Sequence, residues 1–451
     1  MKRVALLTVS SVLLILVVAG CGMNNSKTIT QGPGQLMVTM GDAPNDRVIA
    51  FALTVNTMTL AGGANPTVIS TPTQIEFVRD AGTFQPLVTA KIDAGTYTGA
   101  TITVSNPQVV AIDTTTHLPV QLTAALSTAT VNVTFNNPLM ISASMVEADF
   151  DLDLANSVTI SGNTATINPV FHVSTKIVRD QDNDDFKDVR GFVTNVTAPN
   201  FSIASQAMDQ FFTFSTDSNT VFEGISGLSQ LTAGMIVEVD AQLQSDGTLL
   251  AKRVDVDEDS DDGVAVEGFI TSITGSPATQ FMLNNEFDSV PIAPLLNLLG
   301  IGTGITVDIT SNTSFSVSDT DEINTGGLSL SFDASDIGKV QRVEASVLHQ
   351  TSLQQSGLVL TADRVRLLQQ SLNGTVSNVS GSMPETFTLT MASDSAFALL
   401  SGQTTVTVDV VSSTSQDMPV ANGGAVRVRG LLFFNGSTQK YTLVASQIAQ
   451  Q

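Results

Sequence analysis

The chain has 451 residues, a formal net charge of −23, one cysteine, no tryptophan and two tyrosines. A surface this acidic repels phosphate, so we expect no nucleic-acid partner. A single cysteine excludes an intrachain disulfide, and the scarcity of flat aromatic rings disfavours a carbohydrate-binding surface. Thr, Ser, Val, Asn and Asp dominate the composition, which predicts an all-β fold.

The N-terminal segment has the three parts of a secretory signal peptide. Lys2-Arg3 precedes an apolar run over residues 4–18, and the segment ends in the letters VAGC. This ending resembles the bacterial lipobox, in which the thiol of the first mature residue is acylated. The run is shorter than the ~20 residues that span a bilayer. We therefore expect a lipoprotein signal peptide over residues 1–20 and a lipid on Cys21.

Residues 21–34 are small and polar, and they predict a flexible tether between the lipid and the first domain. Gly22 follows the acylated cysteine, whereas lipoproteins retained in the inner membrane of diderm bacteria commonly carry Asp there. We expect a lipid-anchored protein of the cell envelope, in the outer rather than the inner membrane if the organism has both.

Short alternating runs separated by Gly, Pro and Asn predict an antiparallel β-sandwich over residues 35–178. Alternation is clearest over 36–40 and over 149–154, where Asp149 and Asp151 alternate with apolar residues. Such strands are expected to have one buried face and one wet face.

Three stretches of this segment carry a more specific pattern. They are GQLMVTMGDAP at the start, DAGTYTGATITV in the middle, and VEADFDLDLANSV with INPVFHV at the end. Together they resemble the bacterial lipoprotein family catalogued as domain of unknown function 4382, over about residues 34–178. The resemblance implies a prealbumin-like β-sandwich and carries no known chemistry.

The rest of the chain repeats itself. VRGFVTNV at 189–196 matches VEGFITSI at 266–273 and, more loosely, LNGTVSNV at 372–379. Each copy closes on a strand of A-x-x-V or A-x-x-I type. The pattern predicts three copies of one small β-unit, the middle one with an insertion: residues 189–256, 266–368 and 371–450.

These units resemble the repeats catalogued as domain of unknown function 5666, which have a G-x-V opening strand, a G-x-x-V-x-V central strand and an A-x-x-V closing strand. The resemblance implies small five- to six-stranded barrels of the oligonucleotide/oligosaccharide-binding type. Closure into a barrel would remove the exposed edges of a short sheet. Oligonucleotide binding does not follow, because the sequence lacks a basic groove with stacking aromatics. The predicted architecture is a β-sandwich followed by three β-barrel-like repeats.

Two acidic runs, 179–188 and 257–265, predict linkers between these domains. They place a carboxylate at every second position, as calcium-binding loops do: Asp180, Asp182, Asp184, Asp257, Asp259 and Asp261. The glycine and the final glutamate of an EF-hand loop are missing. Looser calcium binding and a solvated linker both remain open, and we expect no other cofactor.

The sequence shows no catalytic motif. Its three histidines, His117, His172 and His349, are far apart and form no ligand pair, and there is neither a G-x-S-x-G nor a P-loop. We expect a non-catalytic binding, adhesion or scaffolding module that meets an envelope or extracellular ligand. The alternative is an enzyme or accessory domain acting on an extracellular polysaccharide or other polymer through carboxylates such as Glu147, Asp149 and Asp151.

Overall fold

A computed structural model describes most of the chain beyond residue 32. The described residues are 33–43, 45–79, 82–142, 144–179, 185–205, 210–256, 264–289, 300–318, 323, 328, 331–347, 353–354, 359–381, 385–416 and 418–450. The predicted signal peptide, Cys21 and nearly all of the predicted tether lie outside them. Residues 32–451 form one compact unit, and no helix among the described residues is long and apolar enough to cross a membrane.

The first part of the chain forms two packed sheets, which we call the sandwich. Its elements are β1 Gly34–Ala43, β2 Val48–Ala61, β3 Thr67–Ile69, β4 Thr73–Glu76, β5 Phe84–Ile92, β6 Gly95–Ile112, β7 Pro119–Leu126, β8 Thr130–Ile141, β9 Met145–Asp153, α1 Leu154–Ser157, β10 Val158–Ser161, β11 Thr164–Ile167 and β12 Phe171–Ile177. One sheet has the order β12-β9-β1-β5; the other has β10-β11-β7-β6-β2-β3, with β4 and β8 added to β2 and β6. Most pairs are antiparallel, but β1–β9 and β7–β11 are parallel.

The prediction of one wet face in the sandwich is wrong for strands β1 and β9 of its four-stranded sheet, whereas the same face of the edge strand β12 is exposed at His172, Ser174 and Lys176. Leu36 and Val38 are buried on one face, and Met37 and Thr39 are equally buried on the other. The reason is tertiary: Met37 belongs to the apolar cluster of the first repeat, so that repeat covers the second face of β1 at this residue. Asp149, expected to face water, is only 8% exposed.

The next sheet, repeat 1, contains β13 Asp185–Thr197, β14 Asn200–Ser205, β15 Gln210–Ser215, β16 Val221–Glu223, β17 Ile236–Leu243 and β18 Leu249–Val256. Repeat 2 contains β19 Val264–Thr274, β20 Gln280–Ser289, β21 Gly304–Asp308, β22 Ser314–Val317, β23 Arg342–Val347, β24 Leu353–Gln354, β25 Val359–Thr361 and β26 Arg364–Leu367. Repeat 3 contains β27 Gln369–Ser377, β28 Glu385–Thr390, α2 Ala396–Ser401, β29 Thr405–Gln416, β30 Ala425–Asn435 and β31 Lys440–Gln450. Strand β13 begins inside the predicted linker 179–188, and β19 begins inside 257–265.

These elements confirm the predicted all-β fold class. The three repeats also share one pattern of strand pairing. In each, the opening strand lies between the second strand and the central strand, and the central strand pairs with the closing strand. The closing strand then pairs in parallel with an earlier strand, as β18 does with β15 and β31 with β29. In repeat 2 this strand is split into β25 and β26, which pair in parallel with β21 and β22.

Glycine opens each repeat because the second strand crosses close to the backbone there. A Cβ built on Gly191, Gly268 or Gly374 would come within 3.0 Å of a carbonyl oxygen on that strand. None of the three has a left-handed backbone. The requirement is therefore for space rather than for a special dihedral angle.

Candidate functional site: a charged interface and a cleft

Repeats 1 and 2 face each other through two rows of charged residues that lie on hydrogen-bonded strands. Within each row, neighbouring residues are register partners on the opening, central and closing strands. The row of repeat 1 is Arg190, Glu238 and Asp255, and the row of repeat 2 is Glu267, Glu344 and Arg366. Each row has one arginine and two acids, with the arginine on the opening strand in repeat 1 and on the closing strand in repeat 2.

The two rows are complementary in charge. The Arg190 guanidinium lies 2.7 Å from Glu267 Oε1 and also donates a hydrogen bond to Glu344. At the other end, the Arg366 guanidinium lies 3.3 Å from Glu238 and 3.5 Å from Asp255. Arginine suits this position because its planar fork reaches two carboxylates at once.

Glu267 is the centre of this charged interface because it meets arginines from three parts of the fold. Its carboxylate lies 3.4 Å from Arg79 of the sandwich, 2.7 Å from Arg190 of repeat 1 and 2.9 Å from Arg342 of its own repeat. Burial opposes ionisation of Glu267, but the three guanidinium groups hold its pKa below the usual value. The same carboxylate therefore ties the sandwich and two repeats together.

A second carboxylate of repeat 2, Glu286, is less completely satisfied. Its side chain is fully buried; Oε2 accepts a hydrogen bond from Arg342 Nε at 2.9 Å, while Oε1 has no hydrogen-bond partner. Burial raises the pKa of Glu286 to about 7, and the attraction of Arg342 only partly offsets this effect. Glu344, by contrast, is buried beside Arg190, Arg364 and Arg366, which together lower its pKa to about 2.

The chain concentrates its arginines at surfaces where the sandwich and the repeats meet one another. The sequence contains eleven arginines. Seven of them make contacts across these surfaces or line the cavities between them: Arg79, Arg190, Arg342, Arg364, Arg366, Arg427 and Arg429. A polar cavity of about 30 Å³ remains among them, room for about two water molecules. The charged interface is thus largely closed to any larger solute.

A more accessible site lies where the sandwich meets repeat 3. A cleft of about 330 Å³ is lined by residues from both, including Asp46 and Arg47 from the sandwich and Asn373 and Asp394 from repeat 3. Asn373 Nδ2 donates a hydrogen bond to Asp46 Oδ1 at 3.0 Å. Partial burial raises the pKa of Asp46, the hydrogen bond lowers it, and the nearby Asp394 raises it further.

The predicted calcium ligands cannot be placed, because all six aspartates lie outside the described residues. Within the described part of the chain, no group of three or more His, Cys, Asp or Glu residues is arranged to hold a metal ion. His349 also lies outside it, and His172 is exposed, with Nε2 3.4 Å from Asp153.

The carboxylates named for an enzymatic role lie on one face of β9 but have structural partners. Asp149 accepts hydrogen bonds from Thr39 and Ser174, and Glu147 lies 3.5 Å from Lys176. Asp151 is mostly buried, which raises its pKa. None of these three carboxylates lines any of the five cavities found among the described residues.

Sequence reasoning missed the charged interface, although a signal was present. The residue before the opening glycine differs in charge among the copies: Arg190, Glu267 and Asn373. When the charge at equivalent positions differs between otherwise similar strands, that surface is expected to contact a different neighbour in each repeat.

Comparison with known proteins identifies one part of the chain. Residues 190–255 match the family described as Domain of unknown function (DUF5666). This range covers repeat 1 from Arg190 to Asp255, and it bears out the expected resemblance for that repeat. No curated protein matches the chain. A solved structure titled drosophila Unr CSD456 is 14% identical and covers 60% of this chain and 98% of its own, with a TM-score of 0.13.

Proposed function

We propose that the chain is a lipid-anchored, non-catalytic lipoprotein of the cell envelope whose β domains form one rigid binding and presenting module. The observation that carries the proposal is the charged interface. Its ionised side chains are buried against one another, where they join the sandwich and repeats 1 and 2. Because moving one domain away would leave these charges buried without partners, the interface favours a single relative orientation of the three parts.

The N-terminal sequence supports the anchor. A positive start, an apolar run and the VAGC ending precede the only cysteine of the chain. The resemblance of residues 34–178 to domain of unknown function 4382 is part of the same proposal, because that family is one of bacterial lipoproteins. An outer-membrane position, if the organism has two membranes, rests on Gly22.

The anchor is tested by Cys21→Ser, with Met23→Ser as the control. Serine has no thiol for thioether formation, so the Cys21→Ser protein should lose incorporated fatty acid and enter the aqueous phase of a detergent extraction. The control should remain lipidated and partition with the detergent. A Cys21→Ser protein that stays with the membrane as fully as wild type would contradict the anchor.

The absence of catalysis is tested separately on a panel of polysaccharides, glycosides, esters and peptides. We expect no turnover, because the sequence holds no nucleophile–base or metal-ligand motif, and the cavity of the charged interface is too small for a substrate. Reproducible turnover that a single Asp or Glu substitution abolishes would instead establish the enzymatic alternative.

A further inference from the structure

A second, mostly apolar chamber lies beside the cleft between the sandwich and repeat 3. Three polar residues, Asn45, Asp46 and Asn373, line both spaces. The inner chamber has a volume of about 60 Å³. Its apolar wall comes from the sandwich and from repeats 2 and 3: Val48, Ile49, Phe269, Met391, Phe397 and Leu400.

The outer cleft is the more polar of the two spaces, and it favours positive charge. Asp46 and Asp394 place two carboxylates on its wall, and Arg47 is the one cation among its lining residues. The Arg47 guanidinium donates a hydrogen bond to the carbonyl of Ile112 at 3.2 Å, so it is held by the sandwich. The formal net charge of the whole chain, −23, adds to the attraction for cations.

The inner chamber favours a short apolar group. A water-sized sphere requires about 10–15 Å³ by the same kind of measure, so 60 Å³ accommodates about four non-hydrogen atoms. Arg79 and Arg342 line the chamber too, but their guanidinium groups are paired with Glu267 and Glu286. They therefore do not offer free charge to an anionic ligand.

We propose that the cleft and its inner chamber bind a small primary amine, with the ammonium group between Asp46 and Asp394 and a tail of about four carbons in the chamber. The proposal rests on the binding role proposed above and names the chemical class of one ligand. Asp46 is a suitable acceptor, because Asn373 already orients its carboxylate by a hydrogen bond of 3.0 Å. The site requires both the sandwich and repeat 3, so it exists only in the assembled chain.

The first test titrates the purified full chain with n-alkylammonium chlorides from methyl to hexyl, using calorimetry or NMR shifts. Affinity should rise about fourfold per methylene up to butyl, and then level off when the chamber is full. n-Butanol, which has the same tail without the charge, should bind at least tenfold more weakly. Equal binding of butanol and butylammonium, or no dependence on chain length, would overturn the proposal.

The second test uses variants with matched controls. Asp46→Asn combined with Asp394→Asn should weaken butylammonium binding at least tenfold, whereas Asp93→Asn, an exposed carboxylate of the sandwich outside the cleft lining, should not. Ala155 is exposed and lines the cleft, so Ala155→Trp should block it without entering a core. Ala64→Trp, in an exposed turn, is its control. Equal binding by the two tryptophan variants would overturn the site.

These results are independent of the membrane anchor. If butylammonium fails to bind while Cys21→Ser still releases the protein from the membrane, the ligand class is wrong and the anchor stands. If butylammonium binds as expected while Cys21→Ser leaves the protein in the membrane, the amine site is supported and the lipid anchor is contradicted.

Discussion

Arg190 in repeat 1 and Glu267 in repeat 2 occupy the same place, directly before the opening glycine, and carry opposite charges. They lie on equivalent strands, each in register with an acid on the central strand. Because the signs differ, the two residues attract each other at 2.7 Å. The copies therefore share one pattern of strand pairing but differ in the charge of their outward residues. These charges specify which face of one repeat contacts the other.

Asn373 extends the comparison to repeat 3. It holds the same place before Gly374, but it is neutral and bonds Asp46 of the sandwich rather than another repeat. A hydrogen bond with one uncharged partner requires one charged group to be buried instead of two, and it costs less to break than a buried ion pair. The three positions therefore predict a graded response to substitution.

The largest effect is expected from Glu267→Gln. This change would leave Arg79, Arg190 and Arg342 buried without the carboxylate they share, which costs about 3–5 kcal/mol of the free energy of unfolding. Urea denaturation measures it, with Glu385→Gln on β28 as the control. A loss below about 1 kcal/mol would show that the charged interface does not hold the domains.

The second prediction concerns pH and Glu286. Its pKa in the folded state is raised to about 7, above the usual value of 4.5, so the folded state binds more protons than the unfolded state between these two values. The stabilisation from this group is complete below pH 4.5 and is lost as the pH rises through 7. This contribution to the free energy of unfolding is at most about 3 kcal/mol, and Glu286→Gln should abolish its dependence on pH.

The measurement is the difference in unfolding free energy between pH 5 and pH 8 for wild type and Glu286→Gln. The comparison of the two proteins cancels the other titrating groups. An identical pH dependence in both would contradict the raised pKa. Glu344→Gln is a useful contrast, because the pKa of Glu344 is lowered to about 2 and should not contribute over this range.

The third prediction tests the conserved backbone pattern of the three copies within this chain. Gly268→Ala should lower the free energy of unfolding by about 1–3 kcal/mol, because the new Cβ would overlap a backbone carbonyl of β20. Gly191→Ala and Gly374→Ala should behave alike. Gly381→Ala is the control, since a Cβ there meets nothing within 4 Å. Chemical denaturation of all four variants would reveal any repeat that departs from the pattern.

The smallest effect is expected from Asn373→Ala. The change removes one hydrogen bond to Asp46, worth about 1–2 kcal/mol, and it should raise the pKa of Asp46 further because that bond lowers it. Thermal unfolding measures the first effect and NMR titration of the carboxyl group measures the second. Asn137→Ala, on the exposed face of β8, should change neither.

The all-β class and the repeated pattern of G-x-V opening and A-x-x-V closing strands could be read from the residues alone. These features are local: period-two alternation selects strands, and an opening glycine is needed wherever the neighbouring backbone approaches too closely for a Cβ. The residue types at Arg190, Glu267 and Asn373 were also visible, but their partners were not.

Which faces of the sheets are buried and which charges meet depends on how the domains pack together. Alternation in β1 and β9 indicated one wet face, yet repeat 1 covers Met37 on that face, and Asp149 is buried on the same face. Arg79 and Glu267 lie 188 positions apart in sequence and 3.4 Å apart in space. The cleft likewise combines Asp46 with Asp394. Such contacts depend on the packing of whole domains, which leaves no periodic signal in the chain.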